Sequence, residues 1–148
     1  ALSMGREKFA FVTHVGHECQ GAKFGVVREI LREKGLRSVG KDDMAFPDVR
    51  SFMSFCKSAR KPVDVVFCED DPTAVRVLAE LALSGFRVPE DIIVIGCDNT
   101  LPVSRLWTVE IDVGRIAELS FNLYKCLVSH KIVTQKPVIR PRALIRNT

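Results

Sequence analysis

Val63-Asp64-Val65-Val66-Phe67-Cys68 leads directly through Glu69-Asp70 into Asp71-Pro72, and this junction decides how the chain is read. The first six residues are apolar and β-branched enough to form a buried strand. Asp71 then reads as a helix N-cap, with Pro72 at the first helical position, where its missing N–H leaves nothing unsatisfied. The helix is predicted to run to Ser84 through Val75, Leu78, Ala79, Leu81 and Ala82, and Gly85 closes it. Ile92-Ile93-Val94-Ile95-Gly96-Cys97 follows as a solidly apolar strand, the pattern of a position covered on both faces. Strand, helix, strand in this order is one right-handed parallel crossover.

The same alternation extends outward in both directions. Upstream, Lys8 to Val15 reads as a strand ending at Gly16, and Gly21 to Lys34 as a helix with Phe24, Val27, Ile30 and Leu31 at helical spacing. Gly35 stops that helix, Leu36 to Val39 makes a short edge strand, and Asp48 caps a helix to Ser58 through Val49, Phe52, Met53 and Cys56. Downstream, Trp107 to Ile111 is a further strand. Asp112 then caps a helix with Ile116, Leu119, Leu123 and Leu127 along one face. Val138 to Ile145 is extended but carries Pro141, which confines it to an edge or to a position outside the sheet. The expected architecture is α/β, a doubly wound parallel sheet with helices on both faces. In such sheets ligands bind beyond the carboxyl ends of the strands, which singles out the loops His14 to Ala22, Glu69 to Pro72 and Asp98 to Leu106.

Composition sets the bounds. The chain has 148 residues, 47% hydrophobic and 27% charged, which suits a globular domain and excludes disorder. Apolar residues never run to the roughly 18 that a membrane span needs, and no signal-peptide core follows the N-terminus. The first residue is Ala1 rather than Met, so a longer natural protein is expected. The net charge of +4 is uneven: residues 113–148 carry seven basic side chains against Glu118 alone. A mildly basic surface of this kind needs no nucleic-acid partner. Cys19, Cys56, Cys68, Cys97 and Cys126 are odd in number, widely spaced and free of any CxxC pair. They are expected to be buried thiols in a reducing cytoplasm rather than a disulfide framework or a structural zinc site.

The strand ends offer His14, His17, Glu18, Cys19, Glu69, Asp70, Asp71, Asp98 and Asn99. The histidine spacing is not that of a closed metal site, and His14 and Val15 stand where a phosphoacceptor receiver would need paired acids after its first strand. GxGxxG, GxxxxGK[ST] and GxSxG are all missing, so no phosphate cradle or nucleophile elbow is present. Cys19 with His14 or His17 as base would make a small α/β enzyme, but no further residue is positioned to orient the pair. With Asp71 read as a cap, Glu69, Asp70 and Asp98 remain to accept hydrogen bonds, as hydroxyl-rich small molecules require. The residues thus describe a binding module before an enzyme, with no cofactor and no metal.

Read together, Val65 to Ala74, then Leu83-Ser84-Gly85-Phe86-Arg87-Val88-Pro89-Glu90-Asp91-Ile92, then Val94 to Asn99, resemble the effector-binding region of LacI/GalR-type transcriptional regulators. That family has a strand ending near Asn-Asp, a helix, Gly-x-x-Val-Pro-x-Asp-Ile and a strand ending Gly-Phe-Asp. Leu106-Trp107-Thr108-Val109 is similar to its Leu-Thr-Thr-Val crossover, and Pro141 to Thr148 to its closing segment. Arg6 to Val12 resembles the strand that opens its second lobe. The resemblance implies a periplasmic-binding-protein-like lobe over residues 1–112, completed by a crossover helix and C-terminal strand over residues 113–148. DNA would be met only through a headpiece absent from this chain, and a homodimer and a small, sugar-like effector are implied. It puts Glu69 and Asp70 at the family's Asn-Asp pair, Asp98 at an acid that takes ligand hydroxyls, and Phe46 at an aromatic position that can stack on a sugar. His14 and His17 lie in the adjoining loop and join the candidate ligand residues. The departure is Ala22, where the family usually carries an arginine that forks onto ligand oxygens. Lys23 is one position off, and adjacent helical residues do not share a face. Two other outputs remain open from sequence: a solute-binding or sensory domain of the same fold, and the small enzyme built on His14, His17 and Cys19.

Overall fold

The computed structural model describes residues 5–13, 20–38, 45–58, 63–130 and 138–146. In chain order these hold β1 (Lys8–Val12), α1 (Gln20–Glu33), β2 (Arg37–Ser38), α2 (Val49–Ser58), β3 (Val65–Cys68), α3 (Asp71–Leu83), β4 (Ile93–Cys97), β5 (Trp107–Glu110), α4 (Val113–Val128) and β6 (Arg142–Leu144). Among the described residues the strands form one six-stranded sheet, ordered β2-β1-β3-β4-β5-β6. Neighbours from β2 to β5 run parallel, and β6 lies antiparallel at the edge. The doubly wound α/β reading holds, and of the two positions open to the proline-bearing last stretch, an edge or outside the sheet, it takes the edge. No described helix is long and apolar enough to cross a membrane.

Register explains the core. Phe9 faces Val65 and Val65 faces Ile93, while one residue on Ala10, Val66 and Val94 form the next row. Successive strand residues point to opposite faces, so the two rows feed two separate cores. The first row packs under α1 through Phe24 and Leu31, with the Phe11 and Phe24 rings 5.0 Å apart. The second packs under α2 and α3 through Phe52, Met53, Cys56, Ala74, Val77 and Leu81. Both faces of the central strands are thereby covered, as their unbroken hydrophobicity requires.

The predicted caps of α2 and α4 are in place: Asp48 accepts the Ser51 N–H at 2.7 Å and Asp112 accepts the Arg115 N–H at 2.8 Å. The Ser51 hydrogen bonds hold the Asp48 carboxyl below its ordinary range. Gly85 follows α3 at φ +80°, a left-handed stop. At the other end of α3 the sequence reading needs correction. The cap is Asp70, whose Oδ1 accepts the Thr73 N–H at 2.7 Å, and Asp71 is already inside the helix. The buried row of α3 is Asp71, Ala74, Val77 and Leu81, whereas Ala79 and Ala82 are exposed. An apolar-pattern reading misses a helical row that begins with a carboxylate. α4 differs more. It buries none of its side chains; Leu119 and Leu123 are half-buried, while Ile116 and Leu127 are exposed.

Candidate functional site

The chain leaves β1 toward β2 on one side of the sheet and reaches β3 on the other, so the order reverses between β1 and β3. A crevice opens beyond the carboxyl ends of strands at such a reversal. There the Glu69 N–H donates to the Val12 carbonyl at 3.2 Å, which fixes the end of β3 against the end of β1. Glu69 is 7% exposed, and among the described residues its buried Oε2 has no hydrogen-bond partner. Asp70 beside it has one oxygen committed to the α3 cap.

Asp71, assigned from sequence to capping, is instead the buried centre of the strand-end loops. It accepts from Thr108 Oγ1 at 2.6 Å, from the Thr100 N–H at 2.8 Å and from the Leu101 N–H at 3.3 Å. One carboxylate therefore ties α3 to β5 and to the loop after β4, and those paired donors make its burial tolerable. Gly96 leaves the space for it. The sequence held a usable signal in that glycine, which interrupts an otherwise apolar strand where close approach is needed.

Asp98 and Asn99 follow β4 with φ of +84° and +52°. Two successive non-glycine residues in the left-handed region are unusual, and surrounding bonds hold them. The Asp98 N–H donates to the Val109 carbonyl at 2.8 Å, and Asp98 Oδ1 accepts from Cys97 Sγ at 3.2 Å. Asn99 Nδ2 donates to Glu110 Oε1 at 2.8 Å, while Arg146 donates to Asn99 Oδ1. Arg142 Nε meets Glu110 Oε2 at 2.9 Å. The Arg142 and Asn99 hydrogen bonds keep the Glu110 carboxyl below its ordinary range, so it stays an anion.

Asp98, Asn99, Glu110 and Arg142, with Arg140, line a cavity of about 530 Å³. A second cavity, of about 380 Å³, has Glu69 set among Phe24, Phe67, Cys97 and Ile116. Ile111 lines both. The Cys68 thiol is buried in the core under α2 and α3, and burial followed by the nearby Asp70, Glu69 and Asp71 charges pushes its pKa up, so it stays protonated. Phe46 takes another position. Its backbone pairs with Phe11 and Thr13, and its ring packs on Phe52 and Phe55 at 5.5 Å and 5.3 Å, so much of its surface is spent on the core under α2. His14 and His17, with Glu18 and Cys19, lie outside the described residues.

The family model described as a periplasmic binding protein-like domain matches residues 2–148. The chain belongs to that family. Solved structures share this periplasmic-binding-protein-like fold at low identity. The Escherichia coli transcriptional repressor ascG superposes with a TM-score of 0.80 at 16% identity, over 99% of this chain and 56% of its own. A LacI-family transcriptional regulatory protein from Corynebacterium glutamicum gives 0.78 at 22%, over 99% and 59%. A LacI family transcriptional regulator from Lactobacillus casei, with bound sucrose, gives 0.72 at 23%, over 99% and 58%. This periplasmic binding protein-like chain thus spans less than two thirds of each. No curated protein matches the sequence.

Proposed function

We propose that the chain is the effector-sensing lobe of a LacI-type, cytoplasmic transcriptional regulator, a binding module and not an enzyme. The observation that carries this reading is the concentration of acceptors beyond the carboxyl ends of β3 and β4, beside cavities of about 530 and 380 Å³. The effector is a small, sugar-like molecule, in keeping with the sucrose held by the Lactobacillus casei neighbour. Asp98 takes its hydroxyls, Glu69 and Asp70 border it, and Phe46, His14 and His17 complete the candidate set. Residues 1–112 form the lobe, and residues 113–148 the crossover helix and closing strand. DNA contact belongs to a headpiece outside this chain, and the working form is a homodimer.

The test is calorimetric titration of the chain with sucrose and other small sugars, repeated on Asp98→Gly. Glycine accepts the +84° backbone of that position without strain, so the variant removes the carboxylate and keeps the turn. Affinity is expected to fall by about 1.5–3 kcal/mol, the worth of a charge-assisted hydrogen bond. Unchanged affinity would falsify the assignment of Asp98. A sequence-specific DNA footprint by this chain alone would overturn the division of labour with a headpiece.

A further inference from the structure

We infer that the cavity at Glu69 is a subsite for an organic ammonium group carried on a compact apolar body. The inference rests on the effector-binding reading and names the chemistry of one part of the effector. Glu69 is 7% exposed, and among the described residues its buried Oε2 has no partner. A buried carboxylate oxygen left unpaired is costly, and structures rarely keep one unless something supplies the missing donor. The surroundings say which donor. The cavity is about 380 Å³ and is walled by Phe24, Val27, Phe67, Ile111 and Ile116. Among the described residues no lysine or arginine lines it.

An anion finds no counter-charge against such walls. A polyol seated there would strand most of its hydroxyls against hydrocarbon, each losing water for nothing. An ammonium ion fits both features, since it has donors only, and a buried carboxylate in an apolar setting attracts it more strongly than water would allow. Phe24 and Phe67 among the lining residues suit the apolar body that carries the ammonium group. Ile111 joins this cavity to the polar one at Asp98 and Asn99. One effector can therefore place hydroxyls in the first and its amine-bearing apolar part in the second.

The experiment titrates the 148-residue chain with cyclohexylamine hydrochloride and, separately, with cyclohexanol near pH 7, where an aliphatic amine is protonated. The two probes share a ring and differ in charge. The amine is expected to bind about ten-fold or more tightly than the alcohol, as a charge-assisted bond predicts. Glu69→Gln should bring the two within about two-fold, because the amide keeps the size and removes the charge. Equal affinities in the unsubstituted chain, refusal of both probes, or an amine preference that survives Glu69→Gln would overturn the subsite. The comparison of probes needs no variant, so it decides even if Glu69→Gln does not fold. Sucrose binding alongside refusal of both probes would overturn the ammonium subsite and leave the effector reading standing.

Discussion

Gly96 stands so close to α3 that a Cβ there would lie 2.3 Å from Asp71 Oδ1 and 3.2 Å from Ala74 Cβ. No rotamer change rescues that contact while Asp71 keeps Thr108, Thr100 and Leu101 as donors. Gly96→Ala is therefore expected to push Asp71 out of its network and cost about 2–4 kcal/mol, combining overpacking with stranded donors. Asp71→Ala should cost about 3 kcal/mol by stranding the same donors from the other side. Because both changes break one network, the double variant should lose clearly less than the sum of the singles. Urea unfolding of the four proteins measures this, and additive losses would separate the two residues. The result also bears on the strand ends, since Asp71 anchors the loop that follows Asp98 and Asn99.

The pairing of β5 with β6 depends on an ion pair as well as on the backbone ladder. Glu110 and Arg142 are directly opposite in the register, and Arg142 donates to Glu110. The Arg142 and then the Asn99 hydrogen bonds hold Glu110 below the ordinary glutamate range. The folded state therefore binds a proton at this site less readily than the unfolded chain does. The resulting stabilisation is fully present above the ordinary glutamate pKa of about 4.3 and is lost as pH falls through the lower folded value. Amides of Arg142 to Leu144 should exchange faster relative to those of β4 as pH drops from about 6 to about 3, once intrinsic rates are corrected. An unchanged ratio would show that β6 is held by its ladder alone.

The molecule leaves one helix without a buried face. Among the described residues α4 buries nothing, and Phe121, Tyr124, Leu127 and Val128 are each at least 60% exposed. Contiguous apolar surface on that helix favours association over exposure to water. A symmetric pair of chains is a short route to covering it. The 148-residue chain is accordingly expected to self-associate, giving a light-scattering mass that rises above 16.5 kDa with concentration. Leu123→Lys should return it to the monomer mass by charging a half-buried position on that helix. A constant 16.5 kDa species at every concentration would remove the dimer.

The alternation of strands and helices, the edge position of β6 and the caps at Asp48 and Asp112 could all be read from local pattern. Each depends on interactions within a few residues, such as an apolar run, a proline without its N–H, or a carboxylate beside a bare helix end. The loops beyond β3 and β4 were likewise legible, because parallel topology alone puts a crevice at the strand ends. The role of Asp71 was not. Its partners Thr100, Leu101 and Thr108 lie 29, 30 and 37 residues away in sequence. No local pattern distinguishes a carboxylate that caps a helix from one that turns inward beside Gly96. The same holds for Phe46, part of whose ring packs on Phe52 and Phe55, and for Glu69, whose buried Oε2 finds no partner among the described residues. Which acid is tied into the fold and which keeps an unpaired oxygen among the described residues is decided by burial and by distant donors, and only the folded chain brings those together.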